Sequence, residues 1–259
     1  MNITRQGTAV SARGIGVRGP RGWAFRGIDV TADPGSLIAV QGPSGSGRTC
    51  LLLALTGRMR TAEGTATVAG FPLPKRMGAV RSRTALAHVP GVADLEPALT
   101  VGEHLTEQAL LGRHLKGLPW GKRHREAARA RIDAALAAAG LDPETLPKGL
   151  RTTVRDLERL EALRLSIALA VMQNPQVLAV DDVDLKLSPA ERGLAWELLR
   201  GLARAGLTVL AVGSDAPADA LVVRTGPADT RATAPVPAQD VNPTPKEEAA
   251  HAFAETGRA

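Results

Sequence analysis

The sequence predicts an α/β fold with a mostly parallel sheet, and three observations support this prediction. Short apolar runs typical of buried strands alternate with longer segments of helical periodicity. The run over residues 177–180 is continuously apolar, as expected of a parallel strand covered on both faces. A glycine-rich turn joins the strand pattern over residues 36–40 to a helical pattern. Such an alternation in 259 residues suits one large domain with an insertion.

The individual elements follow from periodicity and from their boundary residues. Residues 8–40 read as short strands and turns, with a turn signal at Asp33-Pro34-Gly35. Further strands are predicted over residues 65–69, 84–89, 176–180 and 207–212. Helices are predicted over residues 50–58, 123–139, 154–172 and 189–205. From about Gly226 the chain is rich in Pro, Ala and Thr, so residues 226–259 are expected to form a mostly disordered tail.

The turn after residues 36–40 carries a phosphate-binding motif. Residues 42–49, GPSGSGRT, match the pattern G-x-x-x-x-G-K-[ST] at every fixed position except one, where Arg48 replaces lysine. Glycines let successive N–H groups turn inward, and the next helix adds its positive end. Arginine keeps the charge but is planar and less mobile, so nucleotide binding should survive this exchange more readily than catalysis. The predicted nucleotide-binding residues of this P-loop NTPase are Gly42, Pro43, Ser44, Gly45, Ser46, Gly47, Arg48, Thr49 and Cys50.

Two acidic residues supply the second half of the predicted site. Asp181 and Asp182 follow the apolar run 177–180, and ligands bind beyond the carboxyl ends of strands in such sheets. We expect Thr49 and Asp181 to hold Mg²⁺ beside the nucleotide phosphates. Asp182 is expected to orient or deprotonate the attacking water. Cys50 also reads as a small buried helix residue, which is an alternative to a nucleotide contact.

Composition excludes several classes of protein. No stretch approaches 18 uninterrupted apolar residues, so no membrane-spanning segment is predicted and a soluble, cytosolic protein is expected. The single cysteine excludes an internal disulfide. Aromatic residues make up only 2% of the chain, which argues against a single-stranded nucleic-acid partner. The net charge is +6, and the basic residues concentrate in the first third of the chain and over residues 113–131. Such a cluster is either a solvated helix face or a basic surface near a membrane.

The 132 residues between Thr49 and Asp181 are too many for compact P-loop kinases and small GTPases. Here the chain resembles the ATP-binding cassette (ABC) transporter ATPase family, over about residues 8–215. Residues 99–105, LTVGEHL, resemble the opening of that family's helical subdomain, and residues 168–184 resemble its signature helix running into the second acidic motif. The resemblance implies an ATP-binding domain over residues 1–225, which consists of a RecA-like core and a helical subdomain at about 92–165. It also implies bound Mg-ATP and a membrane permease partner.

The same resemblance exposes several departures from the family's pattern. The family's catalytic glutamate falls on Asp182, its switch histidine on Ser214 and its glutamine-loop residue on Gly91. The signature LSGGQ falls on residues 157–161, LERLE, which would bring a carboxylate near a phosphate. The aspartate of the family's D-loop falls on Ser188, and no aromatic residue stands near Val17 to stack on adenine. By resemblance, Asp182 and Ser214 are the expected catalytic residues.

Three functions remain open at this stage. The first is an ATP-binding subunit that couples ATP binding, and perhaps slow hydrolysis, to a permease on the inner face of the cell membrane. It would act as a homodimer, or as a heterodimer with a second cassette. The second is a catalytically degenerate nucleotide-binding module that regulates a membrane complex. The third, a different P-loop enzyme such as a kinase or GTPase, is disfavoured because no N-K-x-D motif is present.

Overall fold

Five parallel strands form the central sheet of the protein, seen in a computed structural model that describes residues 7–20, 22–114 and 122–226. The sheet runs in the order β6, β7, β8, β3, β9, and all four pairings are parallel. Its strands span Leu37–Gln41 (β3), Thr84–Ala87 (β6), Val177–Val180 (β7), Thr208–Val212 (β8) and Leu221–Arg224 (β9). The predicted tail lies outside the described residues from position 227 onward.

A second, antiparallel sheet packs near the first, and the sequence did not predict it. It runs in the order β2, β1, β4, β5. Residues 8–32 were expected to form short strands, but they form a long hairpin whose register shifts at several points. The strands span Val10–Gly19 (β1), Gly22–Ala32 (β2), Glu63–Val68 (β4) and Phe71–Leu73 (β5).

Six helices complete the described part of the chain. They span Arg48–Leu55 (α1), Met77–Arg81 (α2), Val101–His114 (α3), Lys122–Ala139 (α4), Arg159–Val171 (α5) and Pro189–Arg204 (α6). The helix predicted over residues 154–172 begins only at Arg159, after a short 3-10 turn over Val154–Asp156. The reason is local: Glu158 has an extended backbone, and its N–H donates to Glu161 Oε2 at 2.9 Å, which starts the helix there.

Alternation along β3 divides the interior into two apolar cores. Leu37 and Ala39 join a core with α3, α4, α5 and α6, whereas Ile38 and Val40 join a core with α1 and the antiparallel sheet. A strand covered on both faces must be apolar throughout, which explains the continuous run predicted for β7. The parallel sheet therefore lies between a layer formed by α3, α4, α5 and α6 and a layer formed by α1 and the antiparallel sheet. Polar loops follow the carboxyl ends of β3 and β7.

Candidate functional site

The phosphate-binding loop connects β3 to α1 and is open to an anion. Gly45 and Gly47 have φ angles of 78° and 82°, which only glycine adopts without strain. The first turn of α1 carries no acidic residue, and no side chain of the residues that the structure describes caps its N-terminus. Its backbone N–H groups therefore have no side-chain acceptor competing with a phosphate.

Two segments distant in sequence fix this loop in place. A Cβ on Gly47 would lie 2.3 Å from the carbonyl oxygen of Ala24 on β2, so the backbones are in contact there. A Cβ on Gly42 would lie 2.4 Å from the carbonyl oxygen of Thr225. The buried Ser46 hydroxyl makes a 2.6 Å hydrogen bond with the Thr225 hydroxyl. The loop is thus walled by the antiparallel sheet on one side and by the end of β9 on the other.

Thr49 and Asp181 are brought together by the adjacent ends of the two motifs. Thr49 Oγ1 donates to Asp181 Oδ2 at 2.6 Å, and Asp182 N donates to Asp181 Oδ1 at 3.0 Å. Asp181 is only 1% exposed. Burial raises the pKa of its carboxyl above the ordinary value, although the Thr49 hydrogen bond opposes that effect. A hydroxyl and a carboxylate oxygen at this separation suit a hard cation such as Mg²⁺, which takes few protein ligands beside substrate phosphates.

Arg48 and Asp182 face each other across the mouth of the loop. Arg48 Nη2 lies 4.0 Å from Asp182 Oδ1, with side chains 24% and 29% exposed. Asp182 has a φ of 45°, a left-handed backbone that a non-glycine residue rarely adopts. The cation of the loop is therefore paired with the acid predicted to activate water.

Ser214 is held by a neighbouring carboxylate rather than by the Asp181–Asp182 pair. Its backbone N and its hydroxyl both donate to Asp184 Oδ2 at 2.5 Å, and Asp215 N donates to the same atom at 3.3 Å. Burial alone would raise the pKa of Asp184, but these hydrogen bonds outweigh it and lower the pKa. The Ser214 hydroxyl is therefore committed to Asp184.

Cys50 is half-buried on α1. Burial, together with the nearby charge of Asp181, raises the pKa of its thiol, so the neutral form is favoured. No cluster of three or more metal-ligating His, Cys, Asp or Glu side chains exists within residues 7–20, 22–114 and 122–226.

His88 is a residue of this region that sequence reasoning missed. It directly follows β6 and has a φ of 49°, and Arg159 Nη2 donates to its Nε2 at 2.8 Å. Burial and the Arg159 charge lower the pKa of His88, while the charges of Asp182 and Asp94 oppose that shift. The neutral imidazole therefore accepts a hydrogen bond from Arg159, in the signature segment 157–161, and is close enough to Asp182 for that charge to affect its pKa. Its place directly before Val89-Pro90 was the available signal.

Comparison with known proteins identifies the type of fold. A family model described as "ABC transporter" matches residues 25–184, which is more than half of the chain. The Nod factor export ATP-binding protein I of Cupriavidus metallidurans is 32% identical over 183 residues, covering 71% of this chain and 55% of that protein. The chain spans about half the length of the curated relatives it matches.

Solved structures of low sequence identity share the fold. The cbiO1 protein of Clostridium perfringens, part of the ABC transporter complex cbiONQ, has a TM-score of 0.65 at 20% identity, covering 81% of this chain and 80% of that one. A dimeric post-hydrolysis state of the ATP-binding cassette MJ0796, bound to ADP and Pi, has a TM-score of 0.60 at 21% identity, covering 80% of this chain and 88% of that one. The predicted fold class, a P-loop NTPase with a parallel sheet core, is confirmed.

Proposed function

The chain belongs to the ABC transporter family, and from this premise we propose that it is the ATP-binding subunit of a membrane transporter. The observation that carries the proposal is the 2.6 Å hydrogen bond from Thr49 to Asp181, made across 132 residues at the mouth of an anion-binding loop. In this proposal, the phosphates bind at the loop and their cation binds at the Thr49–Asp181 pair.

The residues around the loop have distinct roles in this proposal. Backbone N–H groups between Gly42 and Gly47, with the guanidinium of Arg48, bind the phosphates. Thr49 and Asp181 hold Mg²⁺, which when bound would neutralise charge on the phosphate oxygens. Cys50 adjoins the phosphates as a neutral thiol. Because binding draws Arg48 to the phosphates, it would free Asp182 from the ion pair to orient an attacking water.

A catalytically degenerate, nucleotide-binding regulatory module is the second candidate, and one observation favours it. Both Ser214 hydrogen-bond donors are taken by Asp184, so the residue at the switch position has no free donor for a phosphate. Asp182 is also shorter than the family's glutamate, and a displaced water can cost about 10²-fold in rate. Hydrolysis by the isolated subunit would accordingly be slow or absent.

We propose a heterodimer with a second cassette as the working unit. The N-terminus of α5 carries Glu158 and Glu161, and the Glu158 N–H is already bonded to Glu161 Oε2. In the head-to-tail pairs that the family resemblance implies, this segment would meet the partner's nucleotide. Two carboxylates there would repel phosphate, although Arg159 offsets part of the charge. A second copy of this chain would therefore complete the site poorly.

The remaining assignments follow the family. We propose that residues 1–225 form the cassette, with a helical subdomain over about 92–165, and that an integral membrane permease holds it at the inner face of the cell membrane. The helices α3 and α4, which pack on α5 in one core, support the subdomain. Within the described residues, no helix combines the length and apolarity needed to traverse a bilayer.

The test is Mg-ATP binding and turnover by the purified protein, beside Arg48→Ala and Asp182→Asn. ATP binding that Arg48→Ala weakens supports the proposed subunit. Turnover lost in Asp182→Asn supports an active ATPase that uses this acid. ATP binding without turnover fits both the regulatory module and a transporter subunit that needs a second cassette for hydrolysis. If neither ATP nor another nucleoside triphosphate binds, the loop is not a phosphate site and both candidates fail.

A further inference from the structure

A cavity of about 610 Å³ lies at the amino ends of the parallel strands, whereas the phosphate-binding loop lies at their carboxyl ends. It is lined by Thr84, the first residue of β6, and by Asn174 and Pro175, which precede β7. These are the amino ends of strands whose carboxyl ends lead to His88 and Asp181. The volume falls within the range of about 300–1,000 Å³ typical of small-molecule pockets.

Two cations from different elements line this cavity. Arg81 ends α2 and Arg131 lies on α4, and none of the described residues that line the cavity is acidic. Arg81 Nη1 donates to Gly57 O at 2.9 Å, and Arg131 Nη2 donates to Met172 O at 3.1 Å. Neither takes part in an ion pair within the part of the chain that the structure describes. Each guanidinium is thus oriented by one carbonyl and keeps further N–H groups.

A third cation stands behind the cavity wall. Arg58 Nη1 donates to the Thr84 hydroxyl at 2.8 Å, and its Nη2 donates to the Thr84 carbonyl at 3.2 Å. Burial and the charge of Arg81 lower the pKa of Arg58. Like charges crowded in this way make the region favourable for an anion, since a bound negative charge would relieve their repulsion.

The rest of the lining selects the kind of anion. Gln108, Gln173 and Asn174 supply neutral amides, which can donate or accept hydrogen bonds. Leu111 and Met172 supply an apolar wall for an uncharged carbon skeleton. Guanidinium groups bind phosphate oxygens bidentately, and a doubly charged phosphate matches two arginines.

We propose that this cavity binds a small organic phosphate monoester, with its phosphate between Arg81 and Arg131 and its carbon skeleton toward Leu111 and Met172. The site is separate from the nucleotide-binding loop and does not depend on ATP binding there. It would give the subunit a means of sensing a phosphorylated metabolite.

Isothermal titration calorimetry on the full chain tests the proposal, with glycerol 3-phosphate as probe and glycerol as the uncharged control. The buffer must contain no phosphate or sulfate. Glycerol 3-phosphate should bind and glycerol should not. Gln108→Glu should weaken binding about tenfold because it adds a negative charge to the lining, whereas Gln108→Lys should retain or strengthen it.

Arg81→Gln should also weaken binding. Arg155→Gln is the control and should leave binding unchanged, because the Arg155 side chain is 70% exposed and does not line the cavity. Thermal unfolding identifies any variant that fails to fold, and in that case the Gln108 pair alone decides. Absence of binding would overturn the proposal, as would equal affinities for the two Gln108 variants. Binding that Arg48→Ala abolishes and Gln108→Glu spares would place the probe in the phosphate loop and overturn it too.

Discussion

Asp182→Asn is expected to tighten the binding of Mg-ATP even though it removes the acid proposed to activate water. Asp182 Oδ1 lies 4.0 Å from Arg48 Nη2. ATP must draw Arg48 away from this partner before the guanidinium can bind phosphate. Asp182 also brings a negative charge close to the place where the phosphates would bind. Asparagine removes both costs and nearly preserves the shape of the side chain.

The size of the effect follows from the geometry of the pair. Coulomb's law at an effective dielectric constant of 20 gives about 4 kcal/mol for two charges 4.0 Å apart. Partial exposure and salt screening reduce the net value of such a pair to about 1 kcal/mol. That energy corresponds to a dissociation constant about fivefold lower in the variant.

Calorimetric titration of each protein with a non-hydrolysable ATP analogue and Mg²⁺ measures this difference. Asp156→Asn is a matched control, because Asp156 also lies 4.0 Å from an arginine, Arg155, in an exposed pair whose arginine is outside the site. Its affinity should equal that of the wild type. An Asp182→Asn variant that binds no more tightly than the wild type would refute the idea that the pair competes with phosphate.

Three further substitutions test the site. Arg48→Ala should weaken Mg-ATP binding by about 2 kcal/mol, or about 30-fold, because it removes charged hydrogen bonds to phosphate; unchanged affinity in calorimetry would contradict this role. Gly47→Ala should destabilise the fold by several kcal/mol more than Gly45→Ala, since a Cβ at 47 meets Ala24 O at 2.3 Å, whereas a Cβ at 45 meets no atom of the described residues within 4 Å. Equal urea midpoints would count against that close approach. Asp184→Asn should lower the free energy of unfolding by about 1–2 kcal/mol at pH 7. Because the pKa of Asp184 is lowered, this stabilisation is present above the ordinary pKa of 3.8 and is lost as the pH falls through the lower pKa of the folded state. If the difference in unfolding free energy between wild type and variant already disappears at pH 6, this reasoning is wrong.

Local patterns predicted the parts of the site that lie close together in sequence. The glycine spacing of residues 42–47 predicted the loop, and the apolar run before Asp181 predicted a buried parallel strand. Both signals report on a few consecutive backbone positions, which the sequence shows directly. The separation of 132 residues between Thr49 and Asp181 then indicated the family, whose fold the structure and its relatives share.

Contacts between distant segments could not be predicted in the same way. The sequence of residues 8–32 does not indicate that Ala24 contacts Gly47, because that contact depends on how the antiparallel sheet packs near the parallel sheet and its loop. The pairing of Arg159 with His88, 71 positions away, depends on where α5 begins. Asp184 follows the second acidic motif as an ordinary loop residue, and only the folded chain brings Ser214 onto it.

The walls of the phosphate-binding loop have a consequence for the speed of nucleotide capture. Ala24 holds the glycine-rich loop by its backbone contact with Gly47, and Thr225 holds it by its hydrogen bond with Ser46. Binding therefore requires little ordering of the backbone, and little conformational entropy is lost on encounter. The slow step would then be the exchange of the Arg48 side chain from Asp182 to phosphate. Association should accordingly be fast. Its rate constant should depend on ionic strength, because the only rearrangement needed is the movement of the charged Arg48 side chain.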